Sequence, residues 1–269
     1  MSVFTKKEIF AQLEAMQAPT GSIVVFHSSL RAIGPVEGGA EGLLEVLTDY
    51  FTRDHGLFCV PAHTVHNVRT KEITLDVAEP DHCLGAFSTV ALQSPEGVRS
   101  ENPVLSLKVF GDRDRALEFI QDEPYLTSSA PANSCYGKLD SLGGQVLLAG
   151  VAHNRNTFLH AVGEILQLPN RMGTVPDHTA VRRLSGEILR QEILPYQTDF
   201  TEDVSTRFWK YETAFRYHRC ITDGFIGSAP TQLCDARKMR QTVELIFRNS
   251  GGIDPMEGER PIPQKFYCR

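Results

Sequence analysis

Three short apolar runs, each closed by a turn-forming or polar break, constrain the fold of this chain most. They are Ile23-Val24-Val25-Phe26, Leu57-Phe58-Cys59-Val60 and Gln145-Val146-Leu147-Leu148-Ala149-Gly150-Val151. Strands that are apolar on both sides must be covered on both sides, as in a parallel or mixed sheet whose connections run through helices. The intervening segments have the period of such helices. Residues 5–17 bring Ile9, Phe10, Leu13 and Met16 to one side, with Thr5 and Glu8 spaced as a capping box. Gly38-Gly39-Ala40 opens a second helix through Leu43, Leu44, Val46 and Leu47, and residues 86–93 read as a short third one. Asp112 or Asp114 starts a helix through Ala116, Phe119 and Ile120; Asn156 or Thr157 caps another through Leu159, Val162, Ile165 and Leu166. Residues 208–216 and 235–247 are predicted helices, and 105–110 a strand. Around Ser185-Gly186, residues 181–184 and 187–193 fit the arms of a hairpin, so the C-terminal half contains one. The class is α/β. With no repeat, low-complexity segment or clear linker, residues 1–269 are expected to form a single domain.

Composition narrows the function. Hydrophobic residues make up 41% and charged residues 22%, the balance of an ordinary globular protein. No apolar run reaches 18 residues, which excludes a helical membrane span, and Met1-Ser2-Val3-Phe4-Thr5-Lys6-Lys7-Glu8 has no signal-peptide core. A cytoplasmic location is expected. Six cysteines without CxxC spacing read as reduced thiols. A net charge of −6 with no basic stripe argues against a nucleic-acid partner and is compatible with a cationic substrate.

The chemistry-bearing residues fall at strand ends. His160 and Glu164 lie one helical turn apart behind the third apolar run, and a carboxylate beside an imidazole suits a general base near neutral pH. After the first run, His27-Ser28-Ser29-Leu30-Arg31 with Gly34 and Gly38-Gly39 offers backbone amides that suit a phosphate or carbonyl oxygen, although neither GxGxxG nor GxxxxGK[ST] is present. Residues 62–82, an irregular polar stretch with His63, His66, Asp76, Asp81 and His82, have the length of a functional loop. His63, His66, Asp81 and His82 can be drawn as a metal cluster, but without HExxH or a firm helix no metal is expected. Ser28 and Ser29 could serve a hydrolase, yet the GxSxG elbow is missing.

Three segments in order are similar to the aminoglycoside 3-N-acetyltransferase family. They are His27-Ser28-Ser29-Leu30-Arg31-Ala32-Ile33-Gly34-Pro35-Val36-Glu37-Gly38-Gly39-Ala40, then Arg99-Ser100-Glu101-Asn102-Pro103-Val104-Leu105-Ser106, then Gly150-Val151 followed by Asn156-Thr157-Phe158-Leu159-His160. Asp223 to Ala229 and Cys234-Asp235-Ala236-Arg237 resemble its C-terminal region, so the likeness spans roughly residues 21–240. The resemblance implies a three-layer-like mixed sheet flanked by helices and acetyl-CoA as co-substrate without a metal. It implies an aminoglycoside or similar cationic amine as acceptor, and antibiotic resistance as a role. It implies that His27, Ser28, Ser29, Leu30, Arg31, Gly38, Gly39, Arg99, Ser100 and Ser106 lie along the coenzyme. His160 is then the base, with Glu164 orienting it. Where the family places a glutamate three residues after this histidine, the chain has Gly163, and Glu202 and Asp203 are the reserve carboxylates. Asp76, Asp81, Glu202 and Asp203 are expected to attract the acceptor. A smaller amine as acceptor and a CoA-binding module without transferase activity are the alternatives. The chain is expected to act as a monomer or homodimer, without nucleic-acid or membrane partners.

Overall fold

The computed structural model describes residues 3–196, 203–256, 258 and 260–268. Its strands are β1 (Ile23–Ser28), β2 (Leu57–Pro61), β3 (Leu75–Asp76), β4 (Val98–Arg99), β5 (Leu107–Gly111), β6 (Gln145–Ala149), β7 (Asp177–Arg182), β8 (Ile188–Ile193), β9 (Ile221–Ile226) and β10 (Ala229–Asp235). The helices are α1 (Lys6–Ala15), α2 (Leu30–Ile33), α3 (Gly39–Phe51), α4 (Ala86–Gln93), α5 (Arg113–Ile120), α6 (Cys135–Ser141), α7 (Phe158–Ile165), α8 (Glu212–Tyr217) and α9 (Ala236–Asn249).

A mixed seven-stranded sheet has the order β4-β5-β2-β1-β6-β10-β9. Its centre is parallel: β1 runs beside β2 with Val24 opposite Phe58, and beside β6 with Phe26 opposite Leu147. The flanking β5 and β10 are antiparallel to that centre. Successive side chains on a strand alternate between faces. Thus Val24, Phe26, Phe58, Val60 and Leu147 pack with α1, α3 and α4, whereas Ile23, Val25, Cys59, Val146 and Leu148 pack with α5, α6, α7 and α9. Two separate cores on opposite faces make the helix-covered sheet that the apolar runs imply and the three-layer arrangement that the resemblance implies. The α1 capping box forms as spaced, with Thr5 accepting from the Glu8 amide and Glu8 accepting from the Thr5 amide.

The hairpin of the C-terminal half is β7–β8, with Ala180 opposite Arg190 and Val181 opposite Leu189; β3 joins it in parallel to make a small second sheet. The sequence reading missed a second hairpin, β9–β10, whose Gly227-Ser228 turn joins Ile226 to Ala229. Pro230, Gly224 and Asp223 lower its strand propensity, and only pairing of β10 onto β6 overrides them. Where one helix over 208–216 is predicted, a 3-10 stretch that starts earlier (Val204–Tyr211) leads into α8. Neither expected cap acts at α7: Thr157 makes no capping bond, and the Asn156 amide is bonded to His153 Nδ1 at 3.1 Å. No helix of the described residues is long and apolar enough to cross a membrane.

Candidate functional site

The three parallel strands end together, and open sheets of this kind bind ligands in the crevice beyond their carboxyl ends. Here β1 ends at His27-Ser28, β2 at Pro61 and β6 at Ala149-Gly150, and a cavity of about 600 Å³ opens above them. His27, Ser28, Ser29 and Leu30 of the first motif line it, together with Gly85, Ala86, Gly150 and Arg155. Gly150 is required there. Its φ is +67°, and a Cβ would come within 2.3 Å of the Ala32 Cβ, so only glycine lets α2 close against the end of β6.

His160 sits in the first turns of α7, half-buried, with its ring 4.2 Å from the Tyr196 ring and 5.1 Å from the Phe208 ring. Burial lowers its pKa to about 4, with Asp203 pulling it up and Arg171 pushing it down. The imidazole is therefore neutral at pH 7 and able to take a proton. Asp203 starts the 3-10 stretch by accepting from the Ser205 amide at 2.9 Å. Glu164 has a different task from the expected one. Its carboxylate accepts from the Ser128 hydroxyl and from the Ala130 amide at 3.0 Å, which fastens the 128–130 loop to α7. One helical turn brings Glu164 near His160, but the loop amide and hydroxyl claim both oxygens. Glu202 lies outside the described residues.

Two further histidines share this region. His63 bonds the Tyr136 hydroxyl through Nε2 at 2.8 Å. Burial drives the His63 pKa to about 3, and burial and then Arg155 take His27 to about 3. Three neutral rings have a consequence for stability. Between pH 6.5 and about 4 the unfolded chain binds protons that the native state refuses, so stability falls as pH drops. The expected loss between pH 6.5 and 5.5 is roughly 1 kcal/mol per ring, about 3 kcal/mol together. Urea unfolding at pH 7.5, 6.5 and 5.5 checks this; equal midpoints at all three would contradict it.

The second motif works as a staple for residues 62–82. Arg99 is buried, and its guanidinium donates to the carbonyls of Ala62 at 2.9 Å, Asp81 at 2.8 Å and Glu79 at 2.5 Å. Ser106 Oγ donates to the Ala62 carbonyl at 2.5 Å. Ser100 Oγ donates to the buried Glu123 carboxylate at 3.2 Å and accepts from the Leu107 amide at 3.0 Å. All three were expected along the coenzyme, but carbonyls, an amide and a carboxylate of the chain occupy them. Arg31 is exposed on α2 and does not line the cavity; nor do Gly38 and Gly39, which start α3 beside the N-terminus of α1.

Asp76 and Asp81 are likewise committed. Asp76 pairs with Arg182 at 2.9 Å, and Asp81 with Lys71 at 2.6 Å, with His66 at 3.6 Å and with the Asn67 amide at 2.7 Å. His82 is held between the Thr89 hydroxyl and the Leu84 amide, each at 2.9 Å. Among the described residues, no group of three or more His, Cys, Asp or Glu side chains could hold a metal ion.

Sequence reading missed two features. Arg155, on the turn after β6, lines the cavity. Arg171 forms a buried two-point bond to Asp254, at 2.6 Å from Nε and 2.8 Å from Nη2, with its guanidinium 5.6 Å from the Phe208 ring that packs on His160. Gly163 leaves room for it: a Cβ there would lie 3.3 Å from Arg171 Cγ. The signal in the sequence was the lone glycine inside α7, since a glycine within a helix costs stability and asks for a packing reason.

The family model of aminoglycoside 3-N-acetyltransferase matches residues 25–248. Aminoglycoside N(3)-acetyltransferase IV of Salmonella sp is 29% identical over 266 residues, 96% of each chain. A histidine-to-alanine mutant of aminoglycoside acetyltransferase AAC(3)-IVa, solved in complex with gentamicin, superposes with a TM-score of 0.77 at 24% identity, covering 97% of this chain and 96% of that one. AAC-IIIb, solved in binary complex with CoASH, gives 0.77 at 20% identity, covering 94% of this chain and 99% of that one. These two structures share the fold; the match along most of the sequence goes further. The chain belongs to the aminoglycoside 3-N-acetyltransferase family of acyltransferases.

Proposed function

We propose that the protein transfers acetyl from acetyl-CoA directly to an amine of an aminoglycoside or similar cationic acceptor, with His160 as general base. The observation that carries this reading is the neutral, half-buried imidazole of His160, which also feels the Asp203 carboxylate. A buried site keeps the ring unprotonated, and the approach of a cationic amine to a nearby carboxylate is favourable. The acceptor attacks the thioester carbonyl as the free amine, its ammonium proton already lost to solvent, and passes a second proton to His160 as the C–N bond forms. The tetrahedral oxyanion then collapses, the C–S bond breaks, and the coenzyme leaves as thiolate. No covalent enzyme intermediate is needed, because holding both substrates together lowers the barrier. Asp203 takes the orienting role first considered for Glu164, whose oxygens are engaged by Ser128 and Ala130. Ser28, Ser29 and the backbone amides beside them are candidates for the oxyanion donors. The CoASH complex of AAC-IIIb and the gentamicin complex of AAC(3)-IVa support the choice of donor and acceptor class.

A smaller amine is the second reading, favoured by the internal pairing of Asp76 and Asp81, which leaves residues 62–82 with less negative charge to offer a polycation. Measurement of free thiol released from acetyl-CoA, against a panel of aminoglycosides and small amines, separates the two. Release with an aminoglycoside is expected. Release with small amines alone would select the second reading, and release with no amine would reject amine acetylation.

A further inference from the structure

His63 is a buried histidine that the proposed transfer leaves without a task. Its backbone is fixed on both sides. The Ala62 amide donates to the Ser106 carbonyl at 2.8 Å, the Thr64 amide to the Val104 carbonyl at 3.1 Å, and the His63 carbonyl accepts from the Cys83 amide at 2.9 Å. The residue follows the end of β2, which runs beside β1, and its ring is 7% exposed and within electrostatic reach of both His27 and His160. Nε2 lies 2.8 Å from the Tyr136 hydroxyl. That phenol is 1% exposed, and burial raises its pKa well above the ordinary value, so it keeps its proton and places it on an acceptor. Nε2 is the acceptor it reaches. Since burial keeps the His63 ring neutral, its single proton is then on Nδ1. Of the two ring nitrogens only Nε2 has a partner among the described residues. Buried donors are almost always satisfied, so a fixed N–H without an acceptor, close to the proposed base, points to a ligand atom.

We propose that His63 is a second catalytic histidine, whose Nδ1–H donates to the acyl oxygen of the thioester and to the oxyanion formed from it, with Tyr136 fixing that tautomer through Nε2. This deepens the acetyl-transfer reading and rests on it. As the C–N bond forms, the carbonyl π pair moves onto oxygen, and a donor already aimed there gains strength without reorganising. When the intermediate collapses, the pair returns to the C–O bond and the C–S bond breaks. His63 neither gains nor loses a proton in these steps; His160 takes the one that leaves the nitrogen. The two rings divide the work, one accepting and one donating. Tyr136 is a positioning residue that acts through His63.

Nitrogen-15 NMR of the full chain reads the tautomer directly, with the His63 signals assigned by their loss in His63→Asn. The protonated nitrogen is expected to be Nδ1. Acetyl-CoA should move the Nδ1–H proton downfield, whereas CoASH, which has no acyl carbonyl, should not. A proton on Nε2, or the same response to both ligands, would overturn the proposal. Kinetics gives the second reading. His63→Leu removes the donor and should lower kcat about 100- to 1000-fold with CoASH affinity little changed. His63→Asn puts an amide N–H near the place of Nδ1–H and should recover part of that loss. Tyr136→Phe releases the ring and should lower kcat about 10-fold, with no further effect in the His63→Leu background. A leucine variant with near wild-type kcat, or one that loses kcat and CoASH affinity together with no recovery by asparagine, would make His63 structural. Should the leucine variant not fold, the NMR result and Tyr136→Phe decide. A wild type whose Nδ1–H responds to acetyl-CoA but that acetylates no amine would reject the transferase reading and leave the carbonyl contact standing. Transfer by a wild type whose Nδ1–H does not respond would reject the contact and keep the transferase reading.

Discussion

Replacing His160 by alanine is expected to lower acetyl transfer at least about 100-fold, the range in which a positioned base contributes. The affinity for CoASH should stay close to that of the wild type, because His160 does not line the cavity assigned to the donor. That split separates a base from a packing residue. The ring lies against Tyr196 and Phe208, so its removal also leaves a gap. His160→Gln keeps most of the volume and a hydrogen-bonding amide but cannot accept the proton, and it should be as slow as the alanine variant. A glutamine variant with near wild-type turnover, or an alanine variant that loses CoASH and activity together, would make His160 structural. Turnover and titration calorimetry on the same preparations provide both readings.

Asp254→Ala should cost about 3–5 kcal/mol of stability, the range for breaking a buried ion pair from one side. Arg171 and Asp254 are almost wholly buried, and two parallel hydrogen bonds join them. Removing the carboxylate strands a buried guanidinium among Phe208, Tyr211 and Gly163. The midpoint of urea unfolding at pH 7 measures the loss. Replacing both partners with apolar residues of similar volume, as in Arg171→Met with Asp254→Leu, should restore most of it, since the stranded charge is the main cost. A single variant that loses less than about 1 kcal/mol would place this bridge with exposed pairs. The site feels the same pair, because the charge of Arg171 helps keep His160 neutral through the Phe208 wall.

The structure also gives the Arg-Ser-x-x-Pro-x-x-Ser segment a physical role. A long irregular loop has backbone carbonyls that no ladder satisfies. Arg99 and Ser106 satisfy four of them between residues 62 and 81, counting the Asp76 carbonyl at 3.4 Å, so residues 62–82 hold one conformation beside the site. Carbonyl oxygens carry enough partial charge to hold a guanidinium, whose pKa nevertheless falls to about 10 because burial outweighs Asp81 and Asp76.

Local chemistry set the central strands, most of the helices, the capping box of α1 and the hairpin around Gly186. Apolar period, caps and turn residues are properties of neighbours in the chain, so they can be read without knowing the fold. The same holds for His27 at the end of β1 and for His160 on the helix that follows β6. Partners distant in sequence could not be read this way. Glu164 is one helical turn from His160, yet it bonds a loop 34 residues upstream; the family resemblance implies a coenzyme contact for Arg99, and its guanidinium bonds carbonyls up to 37 residues away. Arg171 meets Asp254 across 83 residues, and Arg155 and the start of α4 line one cavity only because β1, β2 and β6 end at one level. Which carboxylate meets which cation is decided by competition among all buried polar groups for the few partners within reach, and tertiary packing alone brings those partners together.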